Sequence, residues 1–248
     1  MSERAAGAFP DTRWSAVAAA RSADPAERER ALAVFAASYW RPVYTYLRLR
    51  WGQPAADAED LTQEFFARLL ERDFLASYDP SRARLRTFLR VGIDRLLANQ
   101  TRDSRRLKRG GGALPVPLDR EDAERALAGL AAARAENAEE FFAREWTRSF
   151  LGLVVGELRK VCAGGGKDVH FRLFARYDLE DGPPGDDRRP SYADLAREVG
   201  VSPSDVTNHL AWARREFRRI ALARLRELTA SDEEYRLEAR SLFGLTPP

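Results

Sequence analysis

The sequence predicts an all-α protein of two helical domains joined by a linker, the C-terminal domain being a four-helix unit with a helix-turn-helix. Three observations carry this. Ala, Leu, Arg and Glu dominate while Val and Ile are sparse, a composition that favours helix. Apolar residues recur at helical rather than alternating spacing. Glycine and proline clusters cut the chain into helix-length pieces, and one basic, glycine-rich stretch divides it in two.

The first block spans 11–102. In Ala31–Arg50 the residues Leu32, Phe35, Tyr39, Val43, Tyr46 and Leu47 make one stripe, with Pro42 as a candidate kink. Gly52-Gln53-Pro54 ends it. Asp57 opens a second helix to Leu70, buried through Leu61, Phe65, Phe66 and Leu69. Ser77-Tyr78-Asp79-Pro80-Ser81 reads as a turn, and a third helix follows from Leu85 to Thr101. The linker, 103–138, begins basic, passes through Gly110-Gly111-Gly112 and reaches Pro115 and Pro117; within it Glu121–Asn137 is Ala-rich and reads as a solvated helix. The second domain, 139–230, reads as helices over 139–162, 167–177, 191–199 and 202–228. A C-terminal extension, 231–248, carries Tyr235, Leu237, Leu242 and Phe243, which could pack as an extra helix.

Composition narrows the function. At 44% apolar and 32% charged residues the chain can build cores and is not globally disordered. The net charge of +3 is small, so any electrostatic footprint is local. Cys162 is the lone cysteine and excludes an intramolecular disulfide, which suits a reducing cytoplasm; with two histidines it makes a structural zinc site a poor fit. No apolar run reaches bilayer length, and Met1–Pro10 does not read as a signal peptide. The expectation is a cytoplasmic protein without metal, cofactor, membrane contact or small-molecule substrate.

The most specific pattern runs from Ser191 to Leu210. Gly200 can end one helix in the left-handed conformation, Ser202 can cap the next, and Pro203 suits its first position. Leu195, Val199, Val201, Val206 and Leu210 would lock the two at a steep angle, the arrangement of a DNA-reading helix-turn-helix. The second helix would point Ser204, Asp205, Thr207, Asn208, Ala211 and Trp212 outward. Asn can pair with adenine edges, and Thr can offer a hydroxyl or a methyl. Arg214, Arg215, Arg218 and Arg219 could hold phosphates. The competing reading is a structural hairpin with a solvated arginine face.

Two charged segments of opposite sign lie upstream. Arg82–Arg109 carries ten basic residues, among them Arg84, Arg86, Arg90 and Arg95, against Asp94 and Asp103, which makes a plausible phosphate track. Phe74, Tyr78 and Phe88 beside it suit either unpaired bases or a plain core. Before it, Asp57, Asp60 and Glu64 share one helix face at spacings of three and four. They could form a metal cluster, an acid–base pair, a surface for a basic partner, or a solvated face. No histidine and no paired nucleophile lies within the segment, which disfavours catalysis.

Taken in order, these segments resemble bacterial RNA polymerase sigma factors of the extracytoplasmic-function (ECF) group. Asp57–Phe66 with Leu69 resembles the family's core-binding helix. Tyr78-Asp79-Pro80 with Leu85-Arg86-Thr87-Phe88-Leu89 resembles the promoter-melting region, and Ser191–Arg215 the C-terminal helix-turn-helix. The resemblance implies a region 2-like domain at 11–102 and a region 4-like domain at 139–230. It implies that Asp57, Asp60, Gln63 and Glu64 dock on core RNA polymerase. It also implies promoter DNA as ligand, with bases flipped near Phe74 to Arg86, a single strand approached by Arg90, Arg95 and Asn99, and an upstream element read by Thr207, Asn208, Ala211 and Trp212. An anti-sigma or other regulatory protein is a further partner of the kind such factors have. No covalent chemistry is implied, so the chain is expected not to be an enzyme. Thr207, His209 and Trp212 stand where the family usually carries basic residues, and the linker and the tail exceed the minimal pattern. The alternative is a helix-turn-helix repressor or activator that never meets polymerase; it gives Asp57–Phe66 no role.

Overall fold

The computed structural model describes residues 15–69, 71–103, 123–124, 127, 137–180, 189–245 and 247. It is all-α, with no strand among the described residues. The helices are α1 (Ala16–Ala20), α2 (Pro25–Leu49), α3 (Ala55–Leu69), α4 (Arg72–Ala76), α5 (Leu85–Asp103), α6 (Ala138–Gly164), α7 (Asp168–Phe174) with a π-helical turn over Ala175–Leu179, α8 (Tyr192–Val199), α9 (Pro203–Glu227) and α10 (Asp232–Phe243). Arg105 to Gly112, most of the 103–138 linker, most of the 181–190 loop and the first fourteen residues lie outside the described residues.

Local chemistry sets the helix starts. Asp24 accepts the Ala26 N–H at 2.9 Å and Pro25 takes the first position, so α2 begins two turns before Leu32, the first residue of its apolar stripe. It then runs unbroken through Pro42: the proline forfeits one backbone bond, and burial of the Tyr39–Leu47 face holds the helix together around it. In α3 the buried side is Ala58, Leu61, Thr62, Phe65, Phe66 and Leu69, with the Thr62 hydroxyl donating to the Ala58 carbonyl at 2.6 Å.

The core is centred on the seam between α2 and α6, which belong to the two sequence blocks. Tyr39 stacks on Trp146 (6.1 Å between centroids), Trp146 on Phe150 (5.3 Å), and Tyr46 meets Phe142 edge-on (5.6 Å, 89°). All five rings are fully buried, and each contributes roughly 1.5–3 kcal/mol by leaving water. Helix α5 also packs on α6, while α9 packs on α6, α7 and α8.

Two expectations need revision. Glu121–Asn137 reads as solvated, yet Ala123 and Leu127 are buried, and Glu124 takes two bonds from Arg48 and one from Tyr44. The tail does form a helix, but Leu237 faces solvent at 51% exposure while Glu234 and Glu238 lie inside at 4%.

Candidate nucleic-acid and polymerase interface

The acidic face of α3 stands as the spacing predicts. Asp57 and Asp60 are exposed, and Gln63 and Glu64 are half-buried. Glu64 accepts from Arg68 one turn on at 2.8 Å. The opposite face of α3 is the buried one, so the acids project from a rigid, anchored helix. Among the described residues no group of three or more His, Cys, Asp or Glu is placed to hold a metal ion, and no described helix is long and apolar enough to cross a membrane.

The aromatics before α5 form a packed cluster. Phe74 lies edge-on to Phe65 (5.9 Å) and Phe88 (5.3 Å), and Tyr78 sits 5.1 Å from Phe88. Gly92 makes room: a Cβ there would come 2.6 Å from Phe74 Cζ. The turn is pinned from a distance by Arg21, whose guanidinium donates to the Leu75 carbonyl (3.0 and 2.7 Å) and the Tyr78 carbonyl (2.8 Å). Asp79 accepts from the Ser81 hydroxyl and N–H, which hold its carboxyl below the usual range.

The arginines of α5 divide into two groups. Arg95 and Asn99 are exposed. Arg86 is buried, bonded to Glu238 at 2.6 Å and seated 5.0 Å over the Trp146 ring. Arg84, partly exposed, stands 3.7 Å from Glu238 and 3.5 Å from the Ser241 hydroxyl. Arg90 donates to Glu139 of α6 at 2.8 Å and to Asp94 at 2.7 Å, while Thr87 bonds Glu139 as well. Asp94 also accepts from Tyr46 and Trp51. In this arrangement Arg84, Arg86 and Arg90, three candidate DNA contacts, meet carboxylates of the protein itself. Asp94 lies one turn from Arg90, but Glu139 and Glu238 could not be found by local sequence patterns, because they lie about 50 and 150 residues from the arginines they meet.

The pair α8 and α9 and the turn between them are built as their caps dictate. Gly200 is left-handed (φ 74°, ψ 39°), and its N–H and that of Val201 both bond the Ala196 carbonyl. Ser191 and Ser202 each close a reciprocal capping box, with Asp194 and Asp205 respectively. These serine contacts hold both aspartates below the ordinary carboxylate range. Leu195, Val206 and Leu210 are fully buried between the helices. Ser204, Thr207, Asn208, Ala211 and Arg215 are exposed on α9. Two expected contacts turn inward instead. Trp212 is half-buried, edge-on to His170 (5.1 Å) and under the Lys167 ammonium (5.3 Å). Arg214 makes a bidentate pair with Asp178, both bonds 2.9 Å, which raises its pKa further. His209 lies against His170, with centroids 4.0 Å apart.

Comparison with curated proteins finds no match, nor does comparison with solved structures. Residues 35–107, which hold most of α2 and all of α3, α4 and α5, do match a known family. That family is Sigma-70 region 2, and the match supports a sigma-70 family factor.

Proposed function

We propose that the chain is a sigma factor of the ECF kind, which binds core RNA polymerase and directs promoter-specific initiation of transcription. The observation that carries this is the Sigma-70 region 2 match over 35–107, followed downstream by a doubly capped helix-turn-helix. Neither alone distinguishes a sigma factor from its alternatives; together, and in this order, they ask for one protein that meets both polymerase and duplex DNA.

The chemistry of each surface follows. Asp57 and Asp60, exposed on a helix anchored by its other face, suit a basic partner surface on core polymerase, with Gln63 and Glu64 at the edge. Helix α9 enters the major groove and presents Asn208 and Thr207 to base edges, with Ser204, Ala211 and Arg215 beside them. Arg95 and Asn99 approach the strand that becomes single. Strand opening needs no bond made by this chain; polymerase supplies the covalent chemistry, so the protein is not an enzyme. It acts where polymerase and chromosome are, in the cytoplasm.

Run-off transcription with purified core polymerase on a library of upstream sequences tests the proposal. A set of initiated templates sharing one motif is the expected result. An Asp57→Ala/Asp60→Ala variant should bind free DNA normally yet lose polymerase capture. If the native chain binds an operator but never captures polymerase, it is a helix-turn-helix repressor or activator instead.

A further inference from the structure

We propose that α10 is a built-in competitor of promoter DNA, its carboxylates filling the strand-binding surface of the 35–107 segment until engagement of polymerase or of α9 draws it away. This rests on the sigma-factor reading, which makes the turn before α5 a promoter surface.

Glu234 and Glu238, one turn apart on α10, are both inside. Glu234 Oε1 accepts from the Tyr78 hydroxyl (2.5 Å) and from the Leu85 N–H that opens α5 (3.1 Å). Its other oxygen accepts the Ala230 N–H at 2.8 Å. Glu238 meets Arg86 at 2.6 Å and Arg84 at 3.7 Å. A hydroxyl, a helix-opening N–H and two guanidiniums are the donors that a nucleic-acid backbone uses. Here carboxylates take all four. Burial with the Glu234 carboxylate as partner keeps the Tyr78 proton on its oxygen.

A buried ion pair is weak evidence of stabilisation, because apolar side chains of like volume serve as well or better. Helix α10 nevertheless turns Leu237 outward and two acids inward. Burying acids against arginines makes sense where the arginines have a second anionic partner to exchange for the first.

The helix is also coupled to the DNA-reading element. Only the short turn from Leu228 to Ser231 separates α10 from α9. Arg226 of α9 pairs with Asp232 and lies 4.7 Å over Tyr235. A shift of α9 therefore pulls on α10.

The test measures binding of a fluorescein-labelled single-stranded oligonucleotide to the full chain by anisotropy. Glu234→Gln/Glu238→Gln keeps shape and removes both charges; Glu233→Gln, exposed on the same helix, controls for net charge. If the open form is about a hundredth of the population, the double variant binds about a hundredfold tighter. Its salt slope steepens by roughly 1 to 1.5 as two arginines become available. An equal gain per charge removed in Glu233→Gln, or no gain while polymerase capture is intact, overturns the proposal and leaves the sigma-factor reading standing. Absence of DNA binding and of polymerase capture in every variant overturns both. Should the double variant not fold, hydrogen exchange on the unaltered chain decides. Amides of 235–243 lose protection on binding core polymerase and promoter if α10 is released; retained protection in that complex refutes it.

Discussion

The Arg86–Glu238 pair gives the sharpest energetic test. Its side chains are 9% and 5% exposed, and the bond is 2.6 Å. Charge centres about 4 Å apart attract by roughly 4 kcal/mol at an effective dielectric constant of about 20. Most of that offsets the desolvation of two ions, so the net worth of the pair is near zero. Removing one partner is different, because it leaves the other buried without compensation, at about 3–5 kcal/mol. Glu238→Leu alone should lose that much, or roughly 6–20 °C in melting temperature for a chain of this size; Arg86→Met alone should lose less, because Arg84, 3.7 Å from Glu238, still faces the acid. The double variant should recover most of it, short of about 1 kcal/mol for the contact of Arg86 with Trp146. The assay is chemical denaturation of all four proteins of the cycle, with circular dichroism as probe. Losses that simply add in the double variant would refute the buried-pair argument, as would single-variant losses below about 1 kcal/mol.

Other outcomes follow from the same geometry. Gly200→Ala should destabilise by about 1–2 kcal/mol, since its left-handed φ penalises any side chain though space around it is open; equilibrium denaturation checks it. Asn208→Ala should cost roughly 1–3 kcal/mol at one base position and little elsewhere, read by competition among single-base variants of the selected promoter. His170 is held below its ordinary value of 6.5 by burial, and further by His209 and Lys167. A depressed histidine stabilises the fold above the unfolded value and loses that contribution as pH falls through the folded one. Melting temperature should therefore drop as pH is lowered below about 6.5, and His170→Phe should flatten that part of the profile.

Short-range patterns explain most of what the sequence made readable. The limits of α8 and α9 were legible because Ser191, Gly200, Ser202 and Pro203 act within four residues of themselves. The acidic face of α3 was legible because its spacing is helical and its opposite side is apolar. Charge partners were not. Arg84, Arg86 and Arg90 look like part of a run of repelling cations only while Glu139 and Glu238 are out of view. The orientation of α10 misled for the same reason: helical periodicity assigns leucine to the inside and glutamate to the outside, and only a distant arginine and tyrosine reverse that. Trp212 and Arg214 looked outward from position alone; Lys167, His170 and Asp178, on another helix and turn, draw them in. The continuity of the α2–α6 seam was hidden too, since nothing local says that Tyr39 will stack on Trp146.

The capping boxes at Ser191 and Ser202 carry a consequence for how this protein can change. Each start signal is self-contained, and the residues facing outward on α9 contribute little to the packing below them. On the proposed function, new base preferences can therefore arise at Ser204, Thr207, Asn208 and Ala211 by single substitutions, with the scaffold indifferent. Arg86 and Arg90 of α5 have no such freedom, because altering either takes away the closest partner of an acid elsewhere in the chain. One surface is free to diversify, and the other is held fixed by its partners.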